Sequence, residues 1–229
     1  MKITRASSKA FSLLELMIVI TIIAILASAS FPAYSLVTTR AKMMKSVSNY
    51  KQILTTLNLY ALDWDGAFPN KDETGGDFGN STLVFQHLMQ ETGVGADEIF
   101  YYQTNDPQKS NPPNGDGFLD PVENCVIYVK GMNSSAPASA PIIADEQTGG
   151  GAYGPFHPWL DQKKAVVGYV GGQVRPERLT TNQQGATVRG PKGSNIDNIF
   201  QPGQKDDQGR ITGGLLPSYI DGNSILLPQ

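Results

Sequence analysis

Two hydrophobic patterns follow one another at the start of the chain. From Leu16 to Tyr34 every residue is uncharged and most are apolar, which is the length of run that a bilayer-spanning helix requires. Beyond it, apolar side chains recur at alternating steps of four and three, which places them on one face of an α-helix. These side chains occupy positions 43, 47, 50, 54, 57, 61 and 64. The patterns predict one long helix over residues 11–65, with a transmembrane half over residues 11–35.

The long helix is expected to end near residue 65. Asp63, Asp65 and Gly66 are typical of helix ends, and Pro69 cannot continue a helix because it lacks a backbone N–H. The sequence that follows is rich in Gly and Pro, which favours turns and short elements. The stretch Thr82–Glu91 has a short apolar face and predicts a second helix.

Short apolar stretches in residues 66–229 predict β-strands. The glycines at 171 and 172 separate two of them by a turn typical of a β-hairpin, and Pro176 is expected to end the second strand of that hairpin. The predicted strands are Asn124–Lys130, Ala140–Ala144, Ala165–Val170 and Gln173–Arg175. The sequence therefore predicts an α+β fold, in which the long N-terminal helix packs against a small antiparallel β-sheet domain with long loops.

The last part of the chain, Thr180–Gln229, is rich in Gly, Asn, Gln and Pro and has weak periodicity. We expect long surface loops with short ordered pieces there. A group of apolar residues near the end is expected to hold these loops against the domain: Leu215, Leu216, Tyr219, Ile220 and Ile225–Leu227.

Composition narrows the class of protein. The chain has 18 basic and 21 acidic residues and a formal net charge of −3, without the clustered basic excess of nucleic-acid-binding proteins, so no nucleic-acid partner is expected. The single cysteine, Cys125, cannot form an intrachain disulfide, and we expect it to be a small buried side chain in a strand. The sequence has no nucleophile elbow, zinc-protease helix or phosphate loop, which argues against an enzyme.

The N-terminal ten residues contain Lys2, Arg5 and Lys9 and no acidic residue, which predicts that this end stays in the cytoplasm while the rest is exported. Three interpretations compete. The first is a secretory signal peptide cut near Ala27-Ser28-Ala29, and the second is a plain membrane anchor. The third is a precursor that is cut before the apolar run and keeps the helix.

Glu15 distinguishes the three interpretations, because it is a carboxylate inside the apolar segment. An ionisable group at membrane depth is costly and usually has a partner, which a signal peptide or simple anchor has no need of. A cut between Ala10 and Phe11 would create an α-amino group four residues before Glu15. In a bundle of staggered identical helices, Glu15 could pair with the Phe11 amine of a neighbour, and breaking that pair would leave a buried charge.

The segment Lys9–Glu15, with the apolar run and Pro32 after it, resembles the type IV pilin superfamily, which includes the pseudopilins of type II secretion systems. The one departure is Ala10, where Gly is usual. The resemblance implies cleavage between Ala10 and Phe11, N-methylation of Phe11 by a prepilin peptidase, filament assembly through Glu15 and a helix kink at Pro32. The helix exit, Leu54–Pro69, more loosely resembles that of major pseudopilins and favours the pseudopilin branch.

The resemblance also implies a location and partners. Residues 1–10 would be the leader peptide, and residues 66–229 would form a periplasmic or extracellular domain. The protein would cross the bacterial inner membrane once, contact the lipid bilayer and the inner-membrane assembly platform, and then join copies of itself and related pilins in a filament. A minor pilin or an adhesive or DNA-binding tip subunit is one alternative, and an exported enzyme using the helix as an anchor is another.

Two groups of residues are candidate metal sites. Asn114, Asp116, Asp120 and Glu123 follow most of the oxygen-ligand spacing of a calcium loop, although Pro112 stands at the first ligand position and cannot serve. A solvated Asn/Asp/Gly turn is the alternative. The second candidate is His157 with Asp145 and Glu146, for which a packed histidine is the alternative. No other cofactor is expected.

Overall fold

The structure is a computed structural model that describes residues 11–109, 112–182, 185–192, 194–220 and 222–228. The predicted leader, residues 1–10, lies outside the described residues, and so does Ala10 at the expected cleavage point. The chain divides into two units, Met1–Ala41 and Lys42–Gln229.

Helix α1 spans Leu13–Asp63 as a single element and contributes to both units. In the first unit all side chains from Phe11 to Ser28 are exposed, and the helix continues through Pro32, where the sequence predicted a kink. The sequence also predicted a transmembrane half over residues 11–35. Within the described ranges, no helix combines the length and the apolar character needed to cross a membrane.

In the second unit, α1 buries one side against the rest of the domain, as its three-and-four spacing predicts. Met43, Tyr50, Leu54, Leu57 and Ala61 are all buried. The last position of the predicted stripe, Trp64, is 48% exposed and stacks on Tyr60 with a ring-centroid separation of 5.3 Å. Trp64 falls one residue beyond the end of α1, so it no longer follows the helical face.

Helix α2, Ser81–Thr92, confirms the short helix predicted over Thr82–Glu91. Asn80 caps its start by accepting a hydrogen bond from the Leu83 backbone N–H at 2.9 Å. Gly93 ends it in the left-handed conformation, with φ of 68°, which favours glycine. The apolar face of α2 is buried through Val84, Phe85, Leu88 and Met89.

Within the described part of the chain, ten strands form two sheets. The seven-stranded sheet is antiparallel throughout and has the order β10-β1-β2-β4-β5-β6-β3. In the three-stranded sheet, of order β7-β9-β8, β7 runs parallel to β9. The strands are β1 Val126–Val129, β2 Pro141–Asp145, β3 Ala152–Tyr153, β4 Lys164–Tyr169, β5 Val174–Asn182, β6 Gly185–Val188, β7 Asn195–Ile196, β8 Gln204–Lys205, β9 Ile211–Gly213 and β10 Ile225–Leu226. The α+β class and the packing of the long helix on an antiparallel sheet are therefore confirmed.

The predicted β4–β5 hairpin is present, but Pro176 does not end its second strand. Pro176 pairs with Val166 and β5 continues to Asn182. On its other side β5 pairs with β6 only from Leu179 onward, so Pro176 lies where that edge is unpaired and a missing N–H costs no ladder hydrogen bond.

The region Thr180–Gln229 is more ordered than its composition predicts. It contributes β6 and β10 to the large sheet and forms the whole small sheet. Strand β10 pairs with β1, which brings the end of the chain to the edge of the large sheet. Within the predicted apolar group, Leu216, Ile220, Ile225 and Leu226 are buried. Tyr219 is 64% exposed, so its predicted place in that group is wrong.

Gly168 in β4 allows close contact between α1 and the sheet. A Cβ atom at this position would lie 2.6 Å from Ile143 Cγ1 and 3.3 Å from Leu54 Cδ1. Ile143 is its paired neighbour in β2, and Leu54 lies on the buried face of α1. Hydrophobic interiors are close-packed, so an added methyl group here has no free volume to enter.

We therefore expect Gly168→Ala to lower the free energy of unfolding by about 1–3 kcal/mol, the usual cost of overpacking a core. Gly79→Ala is the matched control, because a Cβ at Gly79 meets nothing within 4 Å. Chemical unfolding of the full chain in detergent, followed by tryptophan fluorescence, measures both. Equal stabilities of the two variants would contradict this account of the packing.

Candidate functional site

The start of α1 is capped by the side chains of Ser12 and Glu15, each of which accepts a hydrogen bond from a free backbone N–H. The Ser12 backbone N–H donates to Glu15 Oε2 at 2.9 Å, and the Leu14 backbone N–H donates to Ser12 Oγ at 3.3 Å. This is the capping box, in which a carboxylate three residues into the helix satisfies a backbone donor that the helix leaves free. The spacing of Ser12 and Glu15 is itself a sequence signature of this cap.

The cap places the Glu15 carboxylate in the first turn of a helix whose neighbouring apolar side chains are exposed. Phe11 is 80% exposed, and Leu13 and Leu14 are 76% and 66% exposed. A helix that is apolar all round is typical of a buried or membrane environment rather than of a free surface. In this single chain Glu15 binds its own Ser12 N–H, so it is preorganised beside the residue that would become the new N-terminus.

The second unit contains a buried carboxylate, Asp145, at the end of β2. Its Oδ1 accepts a hydrogen bond from Tyr50 Oη at 2.7 Å. Its Oδ2 accepts from Trp159 Nε1 at 2.8 Å and from the Val166 backbone N–H at 2.7 Å. Burial raises the pKa of Asp145, while the neighbouring His157 and these three donors act in the opposite direction. The network ties α1, β2 and β4 together through one side chain.

His157 lies beside this carboxylate, as the predicted His–carboxylate pairing requires. Its Nε2 is 2.9 Å from the Lys164 carbonyl oxygen and 3.6 Å from Asp145 Oδ2. Because a carbonyl only accepts, Nε2 must carry the proton, which leaves Nδ1 as a buried acceptor with no hydrogen-bond partner among the residues that the structure describes. Burial lowers the pKa of His157. Glu146, the third residue of the predicted metal group, instead forms an ion pair with Lys109 at 2.6 Å.

The predicted calcium loop brings its residues together through hydrogen bonds. Glu123 is buried, and its two carboxylate oxygens accept from the backbone N–H groups of Asn114 at 3.2 Å and Asp120 at 3.1 Å. Asp116 accepts from the Phe118 backbone N–H and from the Asn114 side-chain amide. This is the pattern of the Asx-turn alternative, and calcium binding there stays a prediction.

Cys125 precedes β1 and is fully buried, as expected of a structural thiol. Burial raises the pKa of the thiol to about 12, and its Sγ lies 3.6 Å from the Tyr102 carbonyl oxygen. Thiols react as thiolates, so Cys125 is unreactive at neutral pH.

A different group of side chains lies close enough to share an ion. Glu73, His87 and Glu91 offer ligand atoms that all lie within 4.8 Å of one another. The sequence analysis did not identify this group, although His87 and Glu91 are four residues apart on a predicted helix and such pairs lie on one face. Glu73 lies in the loop before α2, and no sequence pattern places a loop residue close to His87 and Glu91.

Comparison with known proteins supports the third interpretation of the N-terminus, a precursor of the prepilin type. Residues 5–31 match the family described as the prokaryotic N-terminal methylation motif. The chain therefore carries a prepilin signal of the type IV pilin kind, which spans the predicted cleavage point, Glu15 and most of the apolar run. No curated protein and no solved structure matches the chain. The match covers residues 5–31 of 229, so it identifies the N-terminal segment only. The rest of the chain is described by its structure alone.

We expect the second unit to lose stability as the pH falls through the ordinary His pKa of 6.5. The folded chain holds His157 with a lowered pKa, so below that pH the unfolded chain binds more protons and is favoured. His157→Gln keeps an N–H that can donate to the Lys164 carbonyl but does not titrate.

The free energy of unfolding is measured by denaturant at several pH values between about 7.5 and 5.5. It should change less with pH for His157→Gln than for the natural chain. Burial also raises the pKa values of Asp145 and Glu146, which has the opposite effect on stability as the pH falls, but both chains carry these residues. Parallel pH profiles of the two chains would refute the assignment to His157.

Proposed function

We propose that this protein is a structural subunit of a type IV pilus-like filament or type II secretion pseudopilus, and not an enzyme. The observation that carries the proposal is the methylation motif over residues 5–31, which runs directly into a helix whose side chains are exposed from Phe11 to Ser28. Prepilin peptidase would remove the leader and methylate Phe11. The freed apolar helices would then pack together in the filament core.

Glu15 would set the register of this packing. In the single chain its carboxylate accepts one hydrogen bond, from the Ser12 backbone N–H. Cleavage before Phe11 would add a charged α-amino group close to that carboxylate, and a neighbour's amine would give the carboxylate a countercharge when the helices are buried. A charge-assisted hydrogen bond in a low-dielectric core is stronger than one at a surface.

The second unit would form the outer layer of the filament. It packs most of the apolar stripe of α1 into its own core. The helix exit Leu54–Pro69 is similar to that of major pseudopilins, which supports the secretion branch of the superfamily. The abundance of the protein relative to other pilins distinguishes this proposal from a minor or tip subunit, which is needed in few copies.

Mass measurement and N-terminal sequencing of the mature protein test the processing step. We expect a chain that begins at Phe11 and carries one methyl group on its amine. An Ala10→Glu variant, which places a charged residue at the cut, should accumulate as the full precursor. A mature chain that begins after Ala29, or one that keeps Met1–Ala10, would overturn the proposal.

Two substitutions separate the charge of Glu15 from its role in the cap. Glu15→Gln keeps an acceptor for the Ser12 N–H but removes the countercharge, so we expect normal cleavage and a fall in filament incorporation of about tenfold or more. Stranding a buried charge typically costs about 3–5 kcal/mol. The measurement is the fraction of mature subunit recovered in sheared filaments, with quantitative immunoblotting of the membrane pool.

The matched control is Ser12→Ala, which removes the contact to the Leu14 N–H and keeps the Glu15 charge. Loss of such a cap costs about 1 kcal/mol of helix stability, so incorporation should stay close to normal. Normal filaments from Glu15→Gln, or an equal defect in Ser12→Ala, would show that capping and not charge pairing is what Glu15 supplies.

A further inference from the structure

We propose that Glu73, His87 and Glu91 form a site for a divalent transition metal of the zinc type, which clamps the loop after α1 to α2. The three side chains offer one imidazole nitrogen and two carboxylate oxygens, all within 4.8 Å of one another. They come from two separate segments, since His87 and Glu91 lie on α2 and Glu73 lies in the preceding loop.

His87 is the fixed member of this site. It is 8% exposed, and its ring lies between Tyr60 and Phe78, with centroid separations of 5.8 Å and 5.4 Å. Tyr60 Oη lies 3.4 Å from His87 Nε2, so a hydroxyl on α1 contributes to the orientation of the imidazole. Metal-binding histidines commonly have an outer partner of this kind that orients the ring.

Glu73 is held near His87 by a turn built on its neighbour Asp72. One oxygen of Asp72 accepts from the backbone N–H groups of Thr74 at 2.9 Å and Gly76 at 2.8 Å, and from Thr74 Oγ1 at 2.7 Å. The carboxylate of Asp72 therefore shapes the loop, while the adjacent Glu73 is left to face the groove that it lines together with His87.

The two glutamates are free to move onto an ion. Both are exposed, and among the described residues neither has a hydrogen-bond or ion-pair partner. Tetrahedral zinc with ligands at about 2.0–2.2 Å requires ligand atoms roughly 3.5 Å apart. Closing the group from 4.8 Å therefore needs a movement of about 1 Å, which a change of glutamate rotamer supplies. Asp77, which also lines the groove, is paired with Lys130 at 3.1 Å and is therefore not available to the ion.

The ligand chemistry selects the class of metal. Calcium and magnesium prefer oxygen ligands, whereas an imidazole with carboxylates suits zinc and its first-row neighbours. Three protein ligands would leave the remaining position to water. Since the one cysteine of the chain cannot form an intrachain disulfide, a metal is a cross-link that this domain can use to hold the loop of Glu73 on α2.

Cobalt binding tests the proposal, because Co²⁺ takes the place of zinc and has a visible spectrum. The full chain in detergent is stripped with a chelator and titrated with Co²⁺, and zinc is then used to displace the cobalt. We expect one Co²⁺ per chain with the absorption of a low-coordinate nitrogen–oxygen site, displaced by Zn²⁺ and not by equal Ca²⁺ or Mg²⁺. Zinc should also raise Tm, since it binds only the folded chain.

Variants assign the binding to these residues. Glu73→Gln and Glu91→Gln should each weaken zinc affinity by about tenfold or more, because losing even an outer partner of a metal ligand costs about 10–100-fold. Glu98→Gln, an exposed carboxylate outside the group, should bind zinc as the natural chain does. Both Gln variants keep His87 and its packing, so a loss of binding is not a loss of fold, and circular dichroism checks this.

Three results would overturn the proposal. The first is the absence of stoichiometric cobalt binding by the natural chain. The second is unchanged affinity in the double variant Glu73→Gln, Glu91→Gln. The third is a cobalt spectrum that is lost in His157→Gln and kept in the double variant, which would place the metal at the buried Nδ1 of His157 instead.

Discussion

In the second unit, the packing of α1 on the sheet depends on one buried carboxylate, that of Asp145. Asp145 is fully buried and accepts hydrogen bonds from Tyr50, Trp159 and the Val166 backbone, with His157 3.6 Å away. A buried charge is tolerated only where donors replace its water, and removing one partner leaves it uncompensated. Helix α1 is thereby fixed on the sheet by a polar contact of defined geometry, and not by apolar packing alone. Because Gly168 has no side chain, Leu54 of α1 can pack closely against the same strands.

Helix α1 has different chemistry in its two halves. From Phe11 to Ser28 its side chains are exposed and mostly apolar, whereas from Met43 to Ala61 one face is buried in the domain. The first half therefore presents a large exposed apolar surface, whereas the apolar stripe of the second half packs into the core of the second unit. The proposed filament role would use both halves, since the exposed half would pack against other helices while the buried half holds the domain.

In the second unit, most polar and titratable side chains serve the fold. The thiol of Cys125 is buried and unreactive, and the acidic residues of the 114–123 loop satisfy backbone donors. Such local hydrogen bonds shape loops that lack regular ladders. Glu73 and Glu91 differ, since they face an ordered imidazole without partners among the described residues. A zinc-type clamp there would stabilise the exit of α1 by a contact that does not depend on the oxidation state of a thiol.

The sequence by itself determined the features that have a local period or motif. The apolar run, the buried stripe of α1, the existence of α2 and the buried strands β1 and β2 were all predictable, because burial of one helix face or of a whole strand leaves a regular trace in neighbouring residues. The processing motif and Glu15 belong to the same category.

Only the tertiary structure decided which distant residues meet. Tyr50 and Asp145 lie 95 positions apart, and no local pattern announces their hydrogen bond. Strand β10 joins β1, and Pro176 is tolerated inside β5, because pairing and edge position depend on the whole sheet. Glu73 likewise reaches His87 through a loop whose path the sequence leaves open. Periodicity reports how each segment is buried, whereas the partners of a polar side chain are set by how the segments pack.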